Sequence, residues 1–331
     1  MEFNYSMVVL LIIISIYCYC NTIEYYTNDN TINTNTGNTD NNITKYKLLV
    51  HDWGAQIILD NIHTYLNKGD VYNGVFKWTP HYNSYTGIYH LDTGSHLLTD
   101  MIYELSRSDI NRQLNKDNIN YNDLQTIRSY SYVQGGTTPY MIYNDVIIDN
   151  IKHSQFPVGL MSIYKQPNMI KERTGVNGIF GMSYVNDNDP LQKYSSINKL
   201  LEDKKNKTVL IDFQNKELIT GLSEPNKKFS FKGKLNYPGS IMKMDVNVID
   251  EYNKEYKILI DTGTLYSQFD RTGLIKLNGT KDSEGTITLN NAKILPEELV
   301  GHIKPIILGY NDLYKGYIFI NYTDNTIYIN Q

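Results

Sequence analysis

Tyr89-His90-Leu91-Asp92-Thr93-Gly94-Ser95 reads as an apolar strand that ends in Asp-Thr-Gly and then a hydroxyl residue. Alone it says little, because Asp and Gly are ordinary turn residues. It gains weight from a second copy, Ile258-Leu259-Ile260-Asp261-Thr262-Gly263-Thr264. Each copy closes a β-type run and continues into Ser or Thr. Two plain turns are the bland account of these residues. The paired account places two carboxylates at equivalent strand ends.

The chain repeats in outline around the two motifs. Tyr46 to Val50 reads as a first strand, and Trp53 to Tyr65 as a strand or a short helix. Tyr72 to Trp78 reads as one strand stopped by Thr79-Pro80, and Tyr85 to Leu91 as the strand that delivers Asp92. Met101 to Leu114 has helical spacing with polar interruptions. Tyr130 to Thr138 looks like a hairpin around Gly135-Gly136. Val146 to Ile151 and Pro157 to Tyr164 read as strands, and Gly178-Ile179-Phe180-Gly181-Met182 as a buried run. Ile197 to Lys205 suits a helix, and Leu210 to Phe213 with Glu217 to Ile219 a strand pair. Ser223-Glu224-Pro225-Asn226-Lys227-Lys228 is polar and turn-forming, as a linker should be.

Beyond that linker the order recurs. Met242 to Ile249 and Tyr256 to Ile260 are strands, and the second delivers Asp261. Ile306-Ile307-Leu308-Gly309 parallels Ile179-Phe180-Gly181, at a much shorter distance from its motif. Tyr317 to Ile320 and Thr326 to Ile329 form a terminal hairpin around Asp324-Asn325.

Composition narrows the function classes. A length of 331 residues suits two domains or one large one. The 41% apolar and 20% charged fractions are those of a globular chain. Abundant Tyr and Ile lean towards strand, although codon bias would also raise Tyr and Asn. A net charge of −4 offers no basic stripe for nucleic acid.

Met7 to Tyr17 is an apolar run too short to span a bilayer comfortably. It fits a signal peptide over residues 1–20, with an uncleaved anchor as the alternative, because Glu2 and no basic residue precede it. Residues 21–44 form an Asn- and Thr-rich leader. Both cysteines, Cys18 and Cys20, lie in the first segment. A chain cleaved after it has no thiol, which excludes a Cys nucleophile or a Cys-ligated metal. The seven histidines show no zinc-site spacing. Four glycosylation sequons begin at Asn42, Asn206, Asn278 and Asn321.

Taken together, these residues resemble the pepsin-type (A1 family) aspartic peptidases, in divergent form. The resemblance runs from about Tyr72 to the C-terminus. Tyr72-Asn73-Gly74-Val75-Phe76 through Thr79-Pro80 matches the strand before the first motif. Tyr132 with Gly135 matches the flap hairpin, and the two apolar-apolar-Gly elements match one in each lobe. The resemblance implies an all-β, bilobal pepsin-like double-psi β-barrel fold with an active-site cleft between the lobes. It implies an N-terminal lobe over 45–225 and a shortened C-terminal lobe over 226–331.

Asp92 and Asp261 would hold one water and share one proton, since close like charges do not both ionise cheaply. Gly94 and Gly263 would let the backbone turn beside each carboxylate. Thr93 and Thr262 would bond across the lobes. Ser95 and Thr264 would donate to the outer carboxylate oxygens. Tyr132 would ride a closing flap. Gly94, Ser95, Gly263 and Thr264 would also meet substrate. No metal or other cofactor is called for. The implied partner is a peptide or protein substrate, with no nucleic acid and no membrane span after signal cleavage. The implied protein is a monomer in the secretory pathway, secreted or in an acidic vacuolar lumen. The sequence departs from the family at Thr99, where members have a Trp behind the flap. The alternative is a degenerate scaffold that binds peptides or proteins without cleaving them.

Overall fold

A computed structural model of the chain describes residues 43–63, 67–72, 75–79, 83–102, 125–131, 136–163, 176, 178–225, 228–236, 244–295 and 306–331. The expected signal peptide, nearly all of the leader and Tyr132 lie outside the described residues. Twenty-one strands and one short α-helix carry the described architecture.

The first half contains β1 (Thr44–His51), β2 (Gly54–His63), β3 (Asn67–Tyr72), β4 (Val75–Thr79) and β5 (Asn83–Asp92). It continues with β6 (Leu98–Ile102), β7 (Gln125–Ser131), β8 (Gly136–Ile148), β9 (Ile151–Ile163) and β10 (Gly178–Gly181). Helix α1 (Ser196–Leu200) starts at Ser195, whose side chain accepts from the Asn198 N–H and so satisfies one of the helix's unpaired donors. Strands β11 (Thr208–Asp212) and β12 (Glu217–Thr220) follow.

The second half contains β13 (Phe231–Lys234), β14 (Asp245–Ile249), β15 (Glu255–Asp261), β16 (Gln268–Phe269) and β17 (Gly273–Gly279). It ends with β18 (Ser283–Ile294), β19 (Ile306–Gly309), β20 (Tyr317–Asn321) and β21 (Thr326–Asn330).

Six strands of the first half recur in the second with the same pairings. Strand β5 runs parallel to β10, with Asp92 opposite Gly181. Strand β15 runs parallel to β19, with Asp261 opposite Gly309. The parallel partner is inserted between the Asp-bearing strand and the next one: β10 pairs antiparallel with β6, and β19 with β16. Strands β6 and β16 each pair in parallel with the far arm of a hairpin, β9 and β18. Strands β2 and β14 flank the Asp-bearing strands on the other side. Among the described residues the second copy shows no counterpart of the β3–β4 hairpin or of β7, and its six-strand frame is intact.

The halves share a sheet. Strand β1 pairs with β12, β12 with β11, β11 with β20, β20 with β21, and β21 with β13. One apolar core runs through both halves, from Ile57, Leu91 and Phe180 to Ile260, Phe269 and Leu308, all fully buried. Burying side chains of this size stabilises by roughly 1.5–3 kcal/mol each.

Several local expectations change. Strand β2 lies antiparallel beside β5. The Tyr72 to Trp78 segment is split between β3 and β4, with Tyr72 pairing with Val75, and Asn73-Gly74 lies outside the described residues. Within the Trp53 to Tyr65 segment, Gly54 to His63 is strand, and residues 64–65 lie outside the described residues. The Val146 to Ile151 strand is also split, because Asp149 and Asn150 both have positive φ and turn the chain back on itself. Met101 and Ile102 belong to β6, and the rest of the segment expected to be helical, through Leu114, lies outside the described residues. The helix expected over Ile197 to Lys205 ends at Leu200.

Candidate active site

The two Asp-Thr-Gly turns face each other where the halves meet. Parallel pairing fixes the end of each Asp-bearing strand, because the partner's glycine sits beside the aspartate. Gly181 and Gly309 leave room there. A Cβ on Gly181 would lie 2.5 Å from the Leu97 nitrogen, and one on Gly309 would lie 2.5 Å from the Tyr266 carbonyl carbon.

Thr93 and Thr262 lock the turns together. The Thr93 N–H donates to Thr262 Oγ1 at 3.1 Å, and the Thr262 N–H donates to Thr93 Oγ1 at 3.0 Å. Each hydroxyl then donates across the boundary, Thr93 to the Ile260 carbonyl at 2.7 Å and Thr262 to the Leu91 carbonyl at 2.8 Å. Both threonines are buried. Each such bond contributes on the order of 1 kcal/mol net, and unmaking one inside the core costs more.

Asp92 and Asp261 are brought into contact. The charge of Asp261 acts directly on the Asp92 carboxyl, and each carboxyl lies against the other turn's glycine. Each carboxylate also accepts its own glycine's N–H, from Gly94 at 2.7 Å and from Gly263 at 2.9 Å. The glycines lie against the opposite carboxylates. A Cβ on Gly263 would fall 2.7 Å from Asp92 Cγ, and one on Gly94 would fall 3.2 Å from Asp261 Cγ. Both glycines are exposed and both aspartates partly so, which leaves one side of the pair open to solvent.

The hydroxyl residues do not behave alike. Thr264 Oγ1 donates to Asp261 Oδ2 at 2.8 Å, as expected. Ser95 Oγ instead accepts from the Leu97 N–H at 3.4 Å, within its own turn. Desolvation, followed by the Asp261 charge, pushes Asp92 well above the usual carboxylate range. The arrangement can therefore keep one proton on the pair, which is what a water-activating dyad requires.

Thr99, buried on β6, accepts from the Ile179 N–H at 3.2 Å and so supports the β6–β10 pairing. Two contributors were not anticipated from sequence. Ser183 Oγ donates to the Thr93 carbonyl at 2.7 Å, and His90 Nε2 lies 3.1 Å from the Thr262 carbonyl. For His90 a signal existed: it stands two residues before Asp92, on the same face of the strand.

Neither the family models nor the curated proteins contain a match to this chain. Solved structures do match, 399 chains in all. Among them is the aspartic proteinase from Irpex lacteus, at 12% identity and a TM-score of 0.53, covering 87% of this chain and 97% of that one. At that identity the likeness speaks for the fold: the chain has the bilobal, all-β architecture of pepsin-like aspartic proteinases.

Proposed function

We propose that the chain is an aspartic endopeptidase, with lobes over 45–225 and 226–331 that supply one carboxylate each. The observation that carries this reading is the apposition of Asp92 and Asp261 at a solvent-facing site, each carboxyl against the other turn's glycine and the turns braced by the paired threonines. Asp261, which accepts from both Gly263 N–H and Thr264 Oγ1, suits the ionised role. Asp92, which is harder to ionise, suits the protonated one.

A water held between them loses a proton to Asp261 as its oxygen attacks the scissile carbonyl carbon. Asp92 gives its proton to the carbonyl oxygen, forming a neutral gem-diol. Asp261 then protonates the leaving nitrogen, and Asp92 recovers a proton from one diol hydroxyl as the C–N bond breaks. Both carboxyl groups end as they began, and no covalent intermediate forms. In this reading Tyr132 rides the hairpin whose arms are β7 and β8 and closes over the substrate. The apolar segment within residues 1–20 directs the chain to the secretory pathway.

A peptide library incubated with purified protein from about pH 3 to pH 7 tests the proposal, that being the range in which such a pair shares a proton. Cleavage that is lost in both Asp92→Asn and Asp261→Asn, by at least ~10²-fold with folding retained, is the expected result. A statine-type inhibitor that binds without any turnover would instead favour the degenerate binding scaffold.

A further inference from the structure

His90 occupies a slot built for it. Its ring lies against Gly54, where a Cβ would come within 2.1 Å of His90 Cε1 and 2.6 Å of Nδ1. Strand β2 carries Gly54 and Gln56, and Gln56 is the register partner of His90. Only glycine at position 54 leaves space for the imidazole. From that slot Nε2 reaches the Thr262 carbonyl in the other half, at 3.1 Å. A carbonyl only accepts, so Nε2 carries the proton.

The consequence lies in how the two catalytic turns are held. Thr262 has every polar group bound by the first half: its N–H by Thr93 Oγ1, its hydroxyl by Leu91 and Thr93, and its carbonyl by His90. The matching carbonyl of Thr93 is held within its own half by Ser183. The residue that corresponds to His90 in the second half is Leu259, which has no donor to offer.

We infer that His90 is a positioning residue for the dyad, using its Nε2–H to fix the Thr262 carbonyl and hence the carboxylate of Asp261 from across the halves. This inference rests on the peptidase reading for its kinetic consequence but not for its geometry. Burial is the largest influence on the imidazole and lowers its proton affinity, which favours the neutral ring with its single proton on Nε2. A lost anchor would let Asp261 drift, and displacements of about 1 Å at a reacting group cost on the order of 10²-fold in rate.

Two measurements test this. In nitrogen-15 NMR of the intact protein, His90 should be the Nε2–H tautomer, with a proton that exchanges slowly. An Nδ1–H tautomer, or fast exchange, overturns the inference whether or not the protein cleaves anything. In peptide cleavage, His90→Leu should lower kcat by ~10-fold or more with KM nearly unchanged, and His90→Gln, which keeps a donor, should recover most of it. Wild-type kcat in folded His90→Leu, or a loss that His90→Gln fails to relieve, also overturns it. Absence of cleavage by the wild-type protein counts against the peptidase reading alone, and the tautomer then decides the role of His90.

Discussion

The turns at Asp92 and Asp261 share a sequence and differ in support. Asp261 has a neighbouring hydroxyl, from Thr264, on its outer oxygen. Asp92 has none from Ser95, whose hydroxyl faces the Leu97 N–H. The carbonyl after Asp92 is held by a residue of its own half, Ser183, and the carbonyl after Asp261 by His90 from the other half. A tandem copy thus supplies the frame, and contacts outside the motif make its two ends unequal. That inequality suits a pair that must hold one proton rather than none or two.

The glycines offer the largest expected break in this comparison. A methyl group on Gly263 would press on Asp92 Cγ, with its Cβ 2.7 Å away, whereas one on Gly94 meets its nearest atom at 3.0 Å. Gly263→Ala should therefore lower kcat by ~10²-fold or more, and Gly94→Ala by clearly less. Because Gly263 is exposed and has no positive φ, circular dichroism of Gly263→Ala should match the parent. Equal losses in the two variants would mean that the turns are equivalent after all.

Thr264 comes next. Thr264→Val keeps the shape and removes the donor to Asp261 Oδ2. A hydrogen bond to a charged group contributes roughly 1.5–3 kcal/mol, which corresponds to a loss of ~10-fold or more in kcat. The acid limb of the pH–rate profile should also move to higher pH, because the pair ionises less readily without that donor. An unmoved limb would remove Thr264 from the account.

The asymmetry should also appear in stability. Asp92 holds its proton more tightly in the folded chain than its ordinary value of 3.8 implies. The folded state then binds more protons than the unfolded one, so stability is greatest below pH 3.8 and falls as pH rises through the raised folded-state value. Asp92→Asn removes that loss. It should raise stability at pH 7 and leave it nearly unchanged at pH 3. Thermal melts at the two pH values check both the sign and the window.

The legible part of the fold is the part whose chain pattern and contacts coincide. The Asp-Thr-Gly turns, Ile179-Phe180-Gly181 and Ile307-Leu308-Gly309 are contiguous apolar runs against glycine, and they become the buried parallel pairs. Strand β2 was harder to place. Polar Gln56 is buried in it, and Asp60 and Asn61 interrupt its apolar alternation. The β3–β4 hairpin was hidden because its Asn73-Gly74 signal sits inside what reads as one strand, and Asp149-Asn150 divides another run in the same way. At the site, residue type picked out the carboxylates, glycines and threonines that the fold brings together. It could not choose between the partners open to a hydroxyl in a tight turn, which is where Ser95 departs from expectation.

Ser95 supplies the smallest and most discriminating effect. Its hydroxyl is buried, and its bond to the Leu97 N–H is long, at 3.4 Å, so Ser95→Ala should cost no more than about 1 kcal/mol of stability. If the contrast with Thr264 is real, Ser95→Ala should also leave kcat within about twofold and the pH–rate profile in place, since no donor to Asp92 is lost. Should Ser95→Ala match Thr264→Val in both, Ser95 must turn to Asp92 once substrate binds. The resting inequality of the turns would then be erased with substrate bound, and the proton could not be assigned to Asp92 on the strength of its missing donor.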